Sequence, residues 1–361
     1  MEGARYCAVE DCTIEHVGWY GIELVCGCLG NRIVGNTLTD IGAGGIKLEG
    51  SGVPQTVAPA RRRTGNNQIT DNHIVAGGRV FPSAVGILCT DSFGNDISHN
   101  HIHDMYYSGI SCGWVWGYLD HGAKDNRIEK NHIHDIGQGM LSDLGGIYIL
   151  GVQPGTVICG NLVHDVEHST PGYGGKGIYL DQGGSHIVVE NNIVYNASSS
   201  AFYVNYGREN IVRNNIFAFG KLGQVTMNHV VPPDLRSAFT FERNIVLTDG
   251  CLLFNASYTW RVEMRIITTD LNLFWDVSGK TLVSGNTRHF DPPPAYTMEK
   301  WQALGYDRHS IVADPRFRDL ANFDFTLEED SPALPLGFKP IDMSDVGPRT
   351  GVLKGKGSLG I

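Results

Sequence analysis

Two aspartates in this chain stand in matching surroundings. Asp143 lies three residues before Gly146 of a Gly-Ile-Tyr-Ile segment, and Asp181 directly follows Gly177-Ile-Tyr-Leu180. If the two segments are neighbouring strands, both carboxylates reach one groove, from opposite ends of its floor. A carboxylate pair across a groove can split a glycosidic bond: one group protonates the leaving oxygen while the other activates water or attacks the sugar. Each aspartate also has a plainer use. Asp143 suits an Asx-turn in a glycine-rich loop, and Asp181 a loop hydrogen bond before Gly183-Gly184. Sequence does not set their separation, so an inverting or a retaining outcome stays open. Glu49 and Asp91 hold similar places after earlier Gly-Ile segments and are reserve acids.

The residues that would hold a sugar follow from the alternation of a strand. The second residue after each such glycine points outward, Glu23, Lys47, Leu88, Ser111, Tyr148 and Tyr179, and Tyr203 holds the same place after Ala201. Three successive tyrosines open to solvent would offer ring faces to sugar C–H groups, with Trp114, Trp116 and Tyr118 in a neighbouring link. A packed tyrosine ladder that only stabilises the sheet is the plainer reading. Gln182, Asn205 and Tyr206 at the strand ends, His164 and His168 beside the link nearest Asp181, and Glu49 complete the expected substrate contacts. The pairs His103-Asp104, His134-Asp135 and His164-Asp165 recur at one place in the pattern. Repetition points to stacked side chains that anchor a turn. Three stacked histidines could also ligate a metal, but no metal is expected.

These side chains need a scaffold, and the scaffold is a repeat. The unit is N-x-I-x-x-N-x-I, a short link, then G-I-x-L. It reads Asn31-Arg-Ile-Val-Gly-Asn36-Thr-Leu before Gly45-Ile-Lys-Leu, and returns with Asn67 and Asn72, Asn95 and Asn100, Asn126 and Asn131. Weaker copies carry Asn161, Asn191 and Asn214, and Arg243 stands where the next asparagine is expected. The period, roughly 23 to 36 residues, is too irregular for leucine-rich or ankyrin arrays. Each unit holds three short strands, with Ile33, Leu38 and Ile46 facing in and Arg32, Thr37 and Lys47 facing out. The expected fold is therefore all-β: a right-handed parallel β-helix, a pectate-lyase-like solenoid of about ten coils. The second asparagine of each unit falls at a bend, where its amide can bond the equivalent amide one coil above and below.

The β-helix is expected over residues 1–290. Residues 291–361 should form a short helix from Thr297 to Gly305 and an extended, proline-marked tail packed on the last coils. Insertions cluster on one face of a solenoid. The links at 49–66 and 113–125 after the Gly-Ile strand, and at 136–145 and 166–176 before it, should wall the groove. No cap is evident before Tyr6, so the first coil is expected to be covered by a further segment or by another chain.

Composition bounds the rest. Glycine is abundant at 46 residues, charged residues reach only 18%, and the net charge is −10. Nucleic acid and membrane are poor partners for such a surface, and no run of eighteen apolar residues occurs. No signal peptide is evident. A mature chain or fragment with this sequence would be expected outside the cytoplasm. The eight cysteines show neither CxxC pairs nor metal spacing and read as small buried apolar residues.

The coils ending in His134-Asp-Ile-Gly137, the segments Ser142-Asp-Leu-Gly-Gly-Ile-Tyr148 and Gly177-Ile-Tyr-Leu-Asp181, and the tail motifs Ala313-Asp-Pro-Arg-Phe317, Ser331-Pro-Ala-Leu334 and Val346-Gly-Pro-Arg349 resemble glycoside hydrolase family 141 over nearly the whole chain. That family includes xylan-cleaving and α-L-fucose-releasing enzymes with two proposed catalytic aspartates. By motif match the resemblance places that role on Asp143 and Asp181. It implies a glycoside hydrolase acting on plant cell-wall polysaccharide or oligosaccharide, without a cofactor. Two alternatives use the same scaffold. A polysaccharide lyase or uronate epimerase would need a Lys, Arg, His or Tyr base and a calcium ion or arginine against the uronate. A non-catalytic carbohydrate-binding protein would need neither aspartate.

Overall fold

In a computed structural model, described here for residues 1–50, 59–228, 237–256, 266–280, 283–285 and 296–349, the chain is a right-handed parallel β-helix of ten coils. Three parallel sheets run its length, of ten, eleven and ten strands, and each coil contributes one strand to each. Successive coils pair in register: Ile69 beside Ile97, Ile97 beside Ile128, Ile128 beside Ile158. Period-two alternation sends one apolar column from each sheet inward, and Ile33, Leu38 and Ile46 are fully buried while Arg32 is exposed. Each buried isoleucine contributes about 2 kcal/mol by leaving water. The first coil has a neighbour on one side only, and its inward residues Val9, Ile14 and Val17 pack against the core only partly buried.

The asparagine expectation holds and needs two corrections. The ladder runs through Asn36, Asn72, Asn100, Asn131, Asn161, Asn192, Asn215, Asn244 and Asn272, each amide donating to the next side-chain oxygen at 2.9–3.2 Å. Asn191, Asn214 and Arg243 stand one place earlier, at a position with φ of +57°, +54° and +52°. Asparagine tolerates that left-handed backbone, so adjacent asparagines satisfy two different demands. The ladder therefore continues through Asn244 where Arg243 had suggested a break. The first asparagine of each early unit makes a second ladder, Asn31 to Asn67 to Asn95 to Asn126. All eight cysteines are free. Cys28, Cys89 and Cys112 are buried as expected, but Cys7 and Cys12 are exposed.

At the far end the only α-helix among the described residues, Met298–Ala303, starts on its Thr297 cap and places Trp301 over the last coils. Asp307, fully buried, takes the end of the ladder from Asn272 at 2.9 Å and the Trp301 indole N–H at 2.8 Å. Beyond it the tail reaches back along the outside of the solenoid. Phe325, Ala333 and Phe338 cover the outer face of the second sheet at Ile193, Ile216 and Ile245. Farther on, Lys339 N–H meets Asn214, Asp345 meets Lys130, and Arg349 meets Asp71. Of the wall expected at residues 49–66, residues 51–58 lie outside the described residues, as do 286–295 and 350–361 of the terminal region. No helix among the described residues is long and apolar enough to cross a membrane.

Candidate active site

The outer face of the third sheet carries the predicted floor in full register. Glu23, Lys47, Leu88, Ser111, Tyr148, Tyr179 and Tyr203 pair rung by rung. The expectation of an open tyrosine row fails, however. Tyr148 and Tyr179 are only 5% and 3% exposed, and Tyr203 is half-buried. Their rings form a cluster with Leu150, Tyr107 and Trp114. The cover is the link that leaves the sheet at Gly113. There φ is +103° and an added Cβ would lie 1.8 Å from the Leu150 carbonyl oxygen, so only glycine lets the chain turn across the next coil. The link is then tied down where Gly117 N–H donates to Gln182 O at 2.6 Å and the Tyr118 hydroxyl to Tyr206 O at 2.5 Å. Gln182 and Tyr206 thus serve the cover through their carbonyls.

Asp181 occupies the outward row, beside Leu150 on the preceding coil. It points away from the solenoid core but lies beneath this cover, 4% exposed. Both its oxygens are engaged: the Tyr148 hydroxyl donates at 2.8 Å and the Asn205 amide at 2.7 Å. Asp143 sits just before the strand Leu144–Val152, with φ +56° and its N–H on Tyr173 O at 2.8 Å. Its side chain is 34% exposed and pairs with Lys176 Nζ at 2.9 Å. The Lys176 side chain is 1% exposed. Its ammonium lies 4.0 Å from the Tyr179 ring centre and 5.0 Å from those of Tyr173 and Tyr203, close enough for cation–π attraction. Burial, and after it the negative charges of Asp143 and Asp181, raises the Tyr107, Tyr148 and Tyr179 hydroxyls well above the usual phenol range. The two acids therefore bear on one tyrosine group from adjacent coils.

The remaining expected residues divide. Trp114 packs in the tyrosine cluster and donates to Ser111 Oγ at 2.9 Å, while Trp116 crosses it edge-on and is 54% exposed. His168 bonds Ser198 Oγ at 2.7 Å; burial, then the nearby Lys176 charge, holds its pKa low. Glu49 lies four rungs from Asp181, about 19 Å, and pairs with Lys47. His164 belongs to the second sheet, stacked on His134 and Tyr195, so it is not brought to the acids. The reserve acid Asp91 anchors a loop through Gly122 N–H and lies 3.7 Å from His121, beside an opening lined by Phe93, Tyr118 and Lys124. Lys176 and Tyr173 were not expected from sequence. In Tyr173-Gly-Gly-Lys-Gly177 a lysine reads as a solvated loop residue, and only the next coil closes over it.

A family profile described as a right-handed beta helix region matches residues 117–246. Among curated proteins the chain is similar to the uncharacterized protein YwoF of Bacillus subtilis (strain 168), 26% identical over 224 residues, covering 61% of this chain and 40% of that one. Among solved structures it is similar to a glycoside hydrolase, at 22% identity over 73% of this chain and 38% of that one, with a TM-score of 0.48. It is also similar to the periplasmic alginate epimerase AlgG, at 9% identity over 78% and 72% of the two chains, with a TM-score of 0.44. The chain thus spans less than half the length of YwoF and of that hydrolase.

Proposed function

We propose that the protein is a glycoside hydrolase acting on a cell-wall polysaccharide or its oligosaccharides, with Asp143 and Asp181 as its carboxylate pair. The observation that carries this reading is that both acids meet one tyrosine cluster from adjacent coils: Asp181 accepts from the Tyr148 hydroxyl at 2.8 Å, and Asp143 holds the Lys176 ammonium, which lies 4.0 Å from the Tyr179 ring centre. One carboxyl donates a proton to the leaving oxygen and the other attacks or activates water. The sugar is received at the rim rather than on a bare tyrosine floor. Trp116 and Tyr173, 54% and 52% exposed, offer ring faces there. Xylan- and fucose-containing glycans are the first substrates to try.

The test is incubation with a panel of neutral and uronate-containing glycans, followed by chromatography of the products. Asp143→Asn and Asp181→Asn should each lower sugar release by roughly 10²–10⁴-fold while circular dichroism stays native. Full activity in either variant rejects the pair. The pH dependence of the residual rates identifies which carboxyl donates.

The buried Lys176 beside Asp143 favours a second reading, a uronate-directed lyase or epimerase, in which its ammonium faces the sugar carboxylate. Unsaturated or epimerised uronate products, with neutral glycans untouched, would select it.

A further inference from the structure

The outer face of the second sheet changes character along the solenoid. Over the later coils its outward residues are apolar and lie under the tail: Ile193, Ile216, Ile245 and Leu273. Over the coils before them the same two rows carry His73, His101 and His132, and beside them His103, His134 and His164. All six are half-buried. Within a row the rings stack, His101 on His132 at 4.9 Å and His103 on His134 at 4.8 Å.

Stacking does not account for the choice of histidine. At the end of one row Tyr195 and Phe323 continue the same stack with rings that have no nitrogen. What histidine adds is convergence across the rows: Nε2 meets Nε2 at 2.9 Å for His73 and His103, 2.8 Å for His101 and His134, and 2.9 Å for His132 and His164. Each contact needs one ring to hold a proton at Nε2 and the other a lone pair. His134 Nδ1 lies 2.8 Å from Asp135 Oδ2 and His164 Nδ1 lies 2.7 Å from Asp165 Oδ2. Those carboxylates keep the proton on Nδ1 and leave Nε2 as a lone pair, as carboxylate partners do for metal-ligating histidines.

We propose that His101, His132 and His134 bind one divalent first-row transition-metal ion of the imidazole-preferring kind, Zn²⁺, Ni²⁺ or Cu²⁺. One nitrogen from each of the three rings lies within 4.8 Å of the others. Metal–nitrogen bonds of about 2.0–2.1 Å require nitrogens about 3.3 Å apart, so the His101–His134 contact opens by about half an ångström as the third ring closes in. His101 and His132 each shift a proton from Nε2 to Nδ1, so no proton is released, His132 gives up its contact with His164, and water completes the coordination from the open side. The alternative trio His73, His101 and His103 shares His101. It lacks the carboxylate partner, because Asp104 is engaged by Arg79 and Gln138.

Titration calorimetry of chelator-treated full-length protein with ZnCl₂ at pH 7.5 tests the site. The expected result is one Zn²⁺ per chain, at least tenfold weaker binding in His101→Asn, about 10–100-fold weaker binding in Asp135→Asn, and unchanged binding in His73→Asn. Absence of saturable binding in the wild-type chain, or wild-type affinity in both His101→Asn and Asp135→Asn, overturns the proposal. The visible spectrum of Co²⁺ added to the wild-type chain needs no variant. Imidazole-nitrogen coordination supports the site, and an all-oxygen spectrum overturns it.

Discussion

Lys176 lies among three phenol rings and closes its charge on Asp143. Lys176→Met keeps much of the volume but leaves a carboxylate that is only one-third exposed without its counter-ion. A fully buried broken pair costs about 3–5 kcal/mol; solvent screening at Asp143 reduces the expected loss to about 1–3 kcal/mol in urea unfolding. An unchanged midpoint would mean that water already satisfies Asp143. Tyr148→Phe removes the donor to Asp181 and keeps the ring; about 1–2 kcal/mol of destabilisation is expected. The floor residues were legible because alternation of period two survives in every Gly-Ile segment and in Ala201-Phe202-Tyr203. Their burial was not. The cover is an aperiodic link whose glycine, Gly113, looks like any turn residue, and the partners it finds, Gln182 and Tyr206, lie on later coils.

At the scale of the coil, the ladder asparagine and its neighbour are asked for different things. Asn131 donates to Ile97 O and Asn161 Oδ1, and accepts from the backbone and side chain of Asn100. Asn131→Ala strands several of these buried groups and should cost about 3 kcal/mol, read from thermal or urea unfolding. Asn191 sits in a left-handed backbone that glycine also adopts, and its side chain makes only a bond accepted from Asn214 Nδ2 at 2.8 Å and a weak one to Cys159 Sγ, so Asn191→Gly should cost no more than about 1 kcal/mol. Equal losses at the two sites would contradict the assignment. The same contrast explains what could be read in advance. Spacing from isoleucine located the bend where one asparagine was present. Where two stood together, as at Asn191-Asn192 and Asn214-Asn215, spacing alone could not say which side chain turned inward.

For the molecule as a whole, acid should loosen the solenoid from an unusual quarter. His101 and His132 titrate below the ordinary histidine value of 6.5 in the folded chain because burial disfavours their charge; His73, His103, His134, His164, Asp104 and Asp135 surround them. Between pH 6.5 and about 4 the unfolded chain binds protons that the folded chain refuses, so the melting temperature should fall across that window. A flat profile there would remove the histidine contribution. Asp71 acts lower still: burial opposes its charge, but the Arg349 guanidinium at 2.6 Å outweighs it and holds the carboxyl below its usual value. Its contribution is present above pH about 4 and is lost only as acid protonates it in the folded state. The tail that carries Arg349 has a further consequence. In an ordinary solenoid each rung feels only the rungs beside it, and the stack can fray rung by rung from either end. A stretch of chain that leaves the last rung and reaches Asp71 through Arg349 fastens the two regions directly, so loosening the final rungs also releases the hold near the beginning. The melt is then expected to be one sharp, shared event, and clipping the tail before Arg349 to turn it into a gradual one.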